Sequence, residues 1–430
     1  MPYRDCKESL EDSTIKLSTF APNTLFMSDQ FIKVILANGK DHSVKRFHPW
    51  VFSGAIKKIS LPPDYEGDDV KEGDVVVVYS VQDEFLGMGH YQIGSIAVRM
   101  FSFTEVIPNY DFWKSKIQKA YDFRTQLNLT HNSSTNCYRL CFGEGDGLPG
   151  FIIDYYNGTA VFQSHSIGLH LIKHEFVKAL QEIYGDELQA VYDKSEETMP
   201  KNAPIKAPNG YLWKRTDSAL ETVAVENNHK FSVDWEGGQK TGFFLDQREN
   251  RELLAHYSKD KVVLNTFCYT GGFSVYAALA GAKEVHSTDI SKKAIELTDK
   301  NIELNHIKNH TSFVADTFDF LKNRENTYDI IVLDPPAFAK HQNVKHNAIM
   351  GYKRLNYEAI KQIKSGGLLF TFSCSQVVDK NTFNSTVMAA AIEAGRNVRV
   401  LHHLSQPPDH CVNIFHPEGE YLKGLVVHVE

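Results

Sequence analysis

Short apolar runs of strand length, separated by glycines, occupy the first quarter of the chain. They lie at 31–37, 74–80, 85–92 and 97–103 and predict a small antiparallel barrel or sandwich. Residues 1–29 lack any such period and carry Ser, Thr, Asp and Pro, which predicts a disordered leader. Met27 directly precedes the first run, so we raise the hypothesis that translation starts there instead of at Met1.

A mixed segment follows, with helical spacing at 110–128 and 167–184 and a polar stretch at 194–217 that predicts a loop or linker. From about residue 249 strands and helices alternate. The strands are predicted at 261–265, 284–287, 312–315, 330–333, 368–372, 398–404 and 425–429. This alternation predicts a mostly parallel sheet with helices on both faces, which places a ligand at the carboxyl ends of the strands.

Composition narrows the class of protein. The 430 residues are 42% hydrophobic and 23% charged, which is typical of a folded globular chain and excludes a disordered or collagen-like one. No apolar run approaches the roughly 20 residues that a membrane span needs. The six scattered cysteines suit the reducing cytosol, so we expect a cytoplasmic protein. Cys137 and Cys141 lack the further ligands of a zinc site, and no metal is predicted.

The charge is distributed unevenly. The net charge of -7 weighs against a basic nucleic-acid binder, yet residues 31–60 hold six bases and one acid. His48, Trp50 and Phe52 are interleaved with these bases, a mixture that suits phosphate contacts and base stacking. A solvated face with a buried Trp explains the same composition. The candidate RNA-binding residues are Lys45, Arg46, Lys57 and Lys58.

Three successive strand ends carry residues suited to one cofactor. The first strand runs into paired glycines, which allow close backbone approach but do not form the G-x-G-x-x-G of pyrophosphate binding. Asp289, 18 residues beyond Gly271, can accept both ribose hydroxyls, and Asp316 can accept an adenine amino group. Either acid alone could equally be a helix N-cap. A nucleoside without phosphates indicates S-adenosylmethionine. The candidate binding residues are Phe267, Tyr269, Gly271, Asp289, Ile290, Asp316, Asp334 and Pro335.

The next two strand ends carry an acid and a thiol. Asp334 precedes two prolines that stiffen its loop, and Cys374 stands in Ser-Cys-Ser. A thiolate that adds to carbon 6 of a pyrimidine makes carbon 5 nucleophilic enough to attack a methyl sulfonium. The candidate catalytic residues are therefore Cys374 and Asp334. Cys268, inside the cofactor loop, is interpreted as a packing residue.

From about residue 30 to the C-terminus, the sequence resembles the PUA-domain class I methyltransferases that make 5-methylcytosine in large-subunit ribosomal RNA. The motifs that carry the resemblance are RFHPWVFSGAI at 46–56, GDGLPG at 145–150, QKTGFFLDQR at 239–248, TGGF at 270–273, DPP at 334–336 and FSCS at 372–375. Ala337 stands where the family usually has Lys, which leaves the contacts of that loop open.

The resemblance implies a PUA-like domain at 30–105, a central α+β domain at 106–235 and a Rossmann-like methyltransferase domain at 236–430. It further implies that Cys374 is the nucleophile, that Asp334 orients the cytosine, and that Gln247 and Arg248 lie near the cofactor. The implied partner is 23S ribosomal RNA or a large-subunit precursor, and a homodimer is among the implied states.

Other functions stay open at this point. A guanine-nitrogen methyltransferase would use the Asp-Pro-Pro loop without a cysteine, and a uracil-C5 enzyme would use the same cysteine chemistry. A non-catalytic RNA-binding assembly factor could retain the fold, although the intact acids and cysteine argue against it. An NAD-dependent dehydrogenase is disfavoured because the pyrophosphate fingerprint is missing.

Overall fold

The structure is a computed structural model that describes residues 30–201, 203–216, 219–322, 324–339 and 344–430. The predicted leader at 1–29 and the alternative start at Met27 lie outside the described residues. The described strands form three large sheets and one hairpin.

The N-terminal sheet has six strands and one short helix. These are β1 (Ile32–Leu36), α1 (His42–Lys45), β2 (Trp50–Phe52), β3 (Ile56–Ser60), β4 (Val75–Tyr79), β5 (Phe85–Tyr91) and β6 (Ile96–Ser102). The strand order is β2-β6-β5-β4-β1-β3, in which β1 pairs parallel with β4 and the other neighbours are antiparallel. The parallel pair departs from the purely antiparallel prediction, and the short strands β2 and β3 were not predicted.

The central segment carries a five-stranded sheet in the order β11-β10-β9-β8-β7. Its elements are α2 (Tyr110–Gln126), β7 (Cys137–Phe142), β8 (Phe151–Tyr156), β9 (Thr159–Ser164), α3 (Ile167–Leu171), α4 (Lys173–Tyr184), β10 (Ala190–Asp193), β11 (Gly210–Lys214) and the hairpin of β12 (Val223–Glu226) and β13 (His229–Ser232). Two expectations were wrong here. The helix predicted at 167–184 is divided at Ile172, and the stretch predicted as a loop contains β11, which pairs with β10.

The C-terminal sheet has seven strands in the order β16-β15-β14-β17-β18-β20-β19. Its elements are α5 (Arg248–Ser258), β14 (Val262–Thr266), α6 (Gly272–Leu279), β15 (Glu284–Asp289), α7 (Lys292–Leu304), β16 (His310–Val314), α8 (Thr317–Leu321), β17 (Ile330–Leu333), α9 (Lys345–Gln362), β18 (Gly367–Ser373), α10 (Lys380–Glu393), β19 (Val398–Ser405) and β20 (Lys423–Val429). Strand β20 is antiparallel to both neighbours, and the strands from β16 to β18 are parallel. The predicted α/β architecture is confirmed.

The strand order reverses beside β14, because the chain continues from β14 to β15 and β16 on one side of it and then crosses to β17 on the other side. Strand β15 follows β14 on one side and β17 pairs with it on the other. In open sheets of this kind the crevice at the carboxyl ends of such strands binds the ligand. Every residue of β17 is buried, so the strand that leads into this crevice is part of the packed core.

Asp409 joins the central and C-terminal sheets. Its carboxylate accepts two hydrogen bonds from the Arg248 guanidinium, at 2.9 and 3.0 Å, and one from the Arg139 amide at 3.0 Å. The Asp409 carbonyl accepts a further bond from Arg124 at 2.6 Å. Burial alone would raise the pKa of Asp409, but the Arg248 charge and the neighbouring His410 hold it well below its usual range. The loop between β19 and β20 is thereby fixed against α5, β7 and α2.

Among the described helices, none combines the length and apolar character that a bilayer crossing demands.

Replacing Asp409 by Ala is expected to lower the free energy of unfolding by about 3–5 kcal/mol, because the buried Arg248 charge then has no partner. Urea unfolding monitored by circular dichroism measures the change. Asp319→Ala, which removes an exposed pair with Lys322, is the control and should lower the free energy of unfolding far less, because solvent screens that pair. Equal effects of the two substitutions would contradict the conclusion that the buried pair of Arg248 and Asp409 stabilises the fold.

Candidate active site

A cavity of about 410 Å³ opens at the carboxyl ends of β14, β15, β17 and β18. Its lining includes eight of the residues predicted from the sequence, namely Gln247, Phe267, Tyr269, Asp289, Ile290, Asp334, Pro335 and Cys374. Both candidate catalytic residues and most of the candidate cofactor residues therefore meet in one site.

The loop after β14 has an unusual backbone. Phe267 and Tyr269 have φ values of +52° and +46°, and Gly271 follows with φ +73°. Left-handed backbone at residues other than glycine costs free energy and is concentrated at functional sites. A Cβ on Gly271 would lie 2.7 Å from Thr298 Cγ2, so α7 packs against the loop at a distance that only glycine permits.

Asp289 ends β15 at the edge of the cavity. Its Oδ2 accepts a hydrogen bond from the Tyr269 amide at 3.2 Å, and its Oδ1 accepts one from the Ser291 amide at 2.9 Å. Each carboxylate oxygen keeps a further lone pair for a ligand hydroxyl. Ile290 follows with 73% of its surface exposed and offers an apolar wall beside this acid. An acid next to an exposed apolar side chain fits the ribose and adenine of S-adenosylmethionine.

Asp334 lies at the opposite wall, where its carboxylate is oriented by neighbouring amides. Gln247 Nε2 donates to Asp334 Oδ2 at 3.0 Å, and Asn250 Nδ2 donates to Gln247 Oε1 at 2.6 Å, which fixes the Gln247 amide. Burial and the charge of Asp246 together raise the pKa of Asp334 to about 7, against the smaller opposing effect of Gln247. Asp334 can therefore both hold and release a proton near neutral pH.

Cys374 follows β18 and lines the same cavity. Burial raises the pKa of its thiol to about 12, and the charges of Asp334 and Asp246 contribute in the same direction. The loop behind it is held by Lys423, whose Nζ donates to the carbonyls of Ser375 and Val378 at 2.7 Å each. Burial lowers the pKa of Lys423 to about 8. The thiol is therefore protonated at neutral pH and needs a base before it can act as a nucleophile.

Three of the predicted cofactor residues lie outside the lining. Arg248 is turned away from the cavity because both ends of its guanidinium bind Asp409. Gly271 serves as the N-cap of α6, and Asp316 caps α8 by accepting from the Phe318 and Asp319 amides. Asp316 therefore acts as a helix N-cap through one of its two carboxylate oxygens. The contact of Asp316 with adenine stays a prediction.

The sequence missed other residues of the cavity wall. Asp246, Arg251 and Leu422 line it, and Arg251 is oriented by a buried ion pair with Glu226 at 2.8 Å. Asp246 belongs to the QKTGFFLDQR motif, so this motif was the feature of the sequence from which its place in the cavity wall could have been predicted. Cys268, predicted to pack, is 6% exposed, with its Sγ 3.4 Å from Thr298 Oγ1, and burial raises the pKa of its thiol to about 12.

The candidate RNA-binding residues have different surroundings. Lys45 Nζ contacts Asp41 at 2.8 Å and Glu84 at 2.7 Å, and Arg46 Nε donates to the His42 carbonyl. Lys57 and Lys58 are exposed on β3. Of the aromatic residues interleaved with these bases, Phe52 exposes 46% of its surface, whereas Trp50 is half-buried and its Nε1 donates to Glu144 at 2.7 Å.

Comparison with known families defines the class. Residues 34–103 match the PUA-like domain family, and residues 207–413 match the S-adenosylmethionine-dependent methyltransferase family. Together with the cavity at the carboxyl ends of the parallel strands, these matches make the chain an S-adenosylmethionine-dependent methyltransferase that carries a PUA-like domain.

Two relatives define the family more closely. The chain is 37% identical to ribosomal RNA large subunit methyltransferase I of Aeromonas hydrophila subsp. hydrophila, covering 92% of this chain and 98% of the relative. It is 38% identical to the protein of the same name from Pseudoalteromonas translucida, covering 92% and 99%. The chain belongs to this family of PUA-containing S-adenosylmethionine-dependent methyltransferases.

Two solved structures share the whole fold. A protein from Streptococcus mutans, assigned to the SAM-dependent methyltransferases, superposes with a TM-score of 0.76 at 26% identity and covers 92% of this chain and 99% of its own. A methyltransferase solved in complex with SAH gives the same TM-score at 27% identity and covers 92% and 99%.

Replacing Asp334 by Asn is expected to stabilise the protein at alkaline pH. The folded chain holds the Asp334 proton up to about pH 7, whereas the unfolded chain releases it near pH 3.9. Stability contributed by this proton is therefore complete below about pH 4 and is lost as the pH rises through 7.

At pH 8 the free energy of unfolding of the asparagine variant should exceed that of the original protein by about 1–3 kcal/mol. This is less than the full pKa shift of Asp334 implies, because Asp334 keeps some solvent contact. Near pH 4 the difference should shrink. Urea unfolding at both pH values provides the measurement, and a difference that does not depend on pH would exclude Asp334 as its source.

Proposed function

We propose that this enzyme transfers a methyl group from S-adenosylmethionine to carbon 5 of a cytosine in large-subunit ribosomal RNA, 23S RNA or its precursor. The observation that carries the proposal is that Cys374 and Asp334 line the same cavity as Asp289. The names of the relatives, which specify the RNA of the large ribosomal subunit, support the substrate class.

The bound cofactor would supply an electrophilic methyl sulfonium. The residues of this chain supply the nucleophile and the groups that transfer protons. In the proposed reaction Asp334, with its pKa near 7, accepts the proton of the Cys374 thiol. The thiolate adds to carbon 6 of the cytosine, and Asp334 donates its proton to ring nitrogen 3. The electron pair then available at carbon 5 attacks the methyl group, and the bond between that group and the sulfonium sulfur breaks with its electron pair going to the sulfur.

The thiol favours carbon methylation over nitrogen methylation. An exocyclic amine or a ring nitrogen already has a lone pair and needs no covalent activation by Cys374. A uracil-C5 enzyme would use the same nucleophile, so the substrate base is tested directly. RNA with 5-fluorocytidine at the target position should form an adduct that resists denaturing electrophoresis, whereas RNA with 5-fluorouridine should not.

Cys374→Ala is expected to abolish methyl transfer, because it removes the thiol that forms the bond to carbon 6 in the proposed reaction. S-adenosylmethionine affinity, measured by calorimetry, should stay within about twofold of the original because the Asp289 wall is untouched. Cys268→Ala provides a matched control at a second cavity cysteine and should retain most activity. Methyl transfer by purified Cys374→Ala protein would refute the covalent mechanism.

The N-terminal domain is the proposed site of RNA docking. The division at 30–105, 106–235 and 236–430 is supported by the three separate sheets. Lys57 and Lys58 are exposed and form no ion pair within the described part of the chain, so they are the strongest of the four basic candidates. A homodimer and a cytoplasmic location stay predictions.

The double variant Lys57→Ala/Lys58→Ala should weaken RNA binding and flatten its salt dependence. Each lost phosphate contact on a single strand reduces the slope of log K against log salt by about 0.7, so a change of about 1.4 is expected. Fluorescence anisotropy with ribosomal RNA fragments measures this slope. Lys45→Ala is the control and should change it less, because Asp41 and Glu84 already neutralise Lys45. An unaltered slope in the double variant would locate the RNA face elsewhere.

A further inference from the structure

Asp246 is a third carboxylate in the wall around Cys374. It precedes Gln247 directly and lines the cavity together with Asp334 and Cys374. Its Oδ2 accepts a hydrogen bond of 2.6 Å from the Tyr421 hydroxyl. Burial, followed by the Asp246 charge, raises the pKa of Tyr421 well above its usual value, so the hydroxyl stays protonated and keeps donating. The position of the Asp246 carboxylate is therefore fixed.

The second oxygen of this carboxylate has acceptor capacity that the folded chain does not use. Asp246 Oδ1 is buried and has no hydrogen-bond partner within the described residues. Buried polar atoms are almost always satisfied, so an exception requires an explanation, and a catalytic role is one of those known. The charge of Asp246 also raises the pKa of both Asp334 and Cys374, which indicates that the three groups are close together.

We propose that Asp246 is the catalytic base that removes the proton from carbon 5 after methyl transfer. This inference rests on the proposed cytosine-C5 reaction. That reaction requires such a base, because the methylated adduct carries both a hydrogen and the new methyl group on carbon 5, and only loss of the hydrogen restores the aromatic ring.

The other acids of the lining have different partners. Asp289 lies at the cofactor wall, where its two oxygens accept from the Tyr269 and Ser291 amides. Asp334 accepts from Gln247 and, in the proposed reaction, exchanges its proton with ring nitrogen 3. Asp246 is the lining carboxylate with a buried oxygen that no described residue engages.

The step balances as a β-elimination. Asp246 Oδ1 forms a bond to the hydrogen of carbon 5, and the carbon–hydrogen bond breaks. Its electron pair becomes the double bond between carbons 5 and 6, and the carbon–sulfur bond breaks with its electrons leaving on the Cys374 sulfur. Ring nitrogen 3 returns its proton to Asp334, and Asp246 later releases the proton that it gained to solvent.

The test separates methyl transfer from proton removal in a single turnover. The full-length protein is mixed with RNA that carries tritium on carbon 5 of its cytosines and with carbon-14 methyl-labelled S-adenosylmethionine. Methyl label bound to RNA measures transfer, and tritium released to water measures cleavage of the carbon–hydrogen bond. In the unsubstituted enzyme the two yields should be equal.

Asp246→Asn keeps the shape of the side chain and still accepts from Tyr421. We expect methyl transfer in the first turnover, tritium release at least tenfold lower than methyl transfer, and a methyl-labelled protein–RNA adduct that resists denaturation. Steady-state turnover should fall by about 10²–10⁴, the usual contribution of a positioned base. Asp246→Glu should recover part of the tritium release.

Asp186→Asn, at a fully exposed aspartate, is the control and should match the unsubstituted enzyme. Equal methyl and tritium yields in Asp246→Asn would overturn the inference. Loss of the first methyl transfer in Asp246→Asn protein that unfolds normally and binds S-adenosylmethionine normally would also overturn it. Failure of the proposed function is distinguishable, because the unsubstituted enzyme would then give no adduct with 5-fluorocytidine RNA.

Discussion

The buried ion pair between Arg248 and Asp409 fixes the geometry on which the cavity depends. Removing both charges from water costs several kcal/mol per ion, and the cost is offset only when geometry and hydrogen bonding are nearly ideal. Here the pairing is bidentate, and the Arg139 amide binds the same carboxylate. Arg248 begins α5, so the pair also fixes the position of the two preceding residues, Asp246 and Gln247. The cavity wall thus depends on a contact that lies outside the cavity.

The cavity itself is electrostatically unfavourable to the folded chain. Asp246 and Asp334 are carboxylates in one confined space, and neither has a cationic ion-pair partner among the described residues. Their mutual repulsion, added to burial, raises the proton affinity of Asp334 and suppresses ionisation of Cys374. A chain optimised for stability alone would avoid this arrangement, whereas proton transfer between a thiol, an acid and a base requires it.

The sequence predicted the alternation of the C-terminal domain because the central strands β14, β17 and β18 are mostly apolar runs and helices such as α7 carry a buried apolar face. Helix α5 was missed because its buried face consists largely of Arg248, Asn250, Arg251, Leu254 and Ser258, so hydrophobic periodicity could not identify it. The position of Arg248 likewise depends on Asp409, 161 residues away, a separation that no local pattern encodes. Asp334, Cys374 and Asp289 were predictable because strand ends in a parallel sheet converge at one edge.

Lys423 couples the loop that follows Cys374 to the pairing of β20 in the C-terminal sheet. It is the first residue of β20, which inserts between β18 and β19, and it binds the loop that follows Cys374. The Nζ of Lys423 can reach the carbonyls of Ser375 and Val378 only when β20 is paired with β18. The support of the nucleophile loop and the pairing of this strand are therefore gained and lost together. A disturbance that frees β20 from the sheet would displace the thiol without touching any residue of the cavity wall.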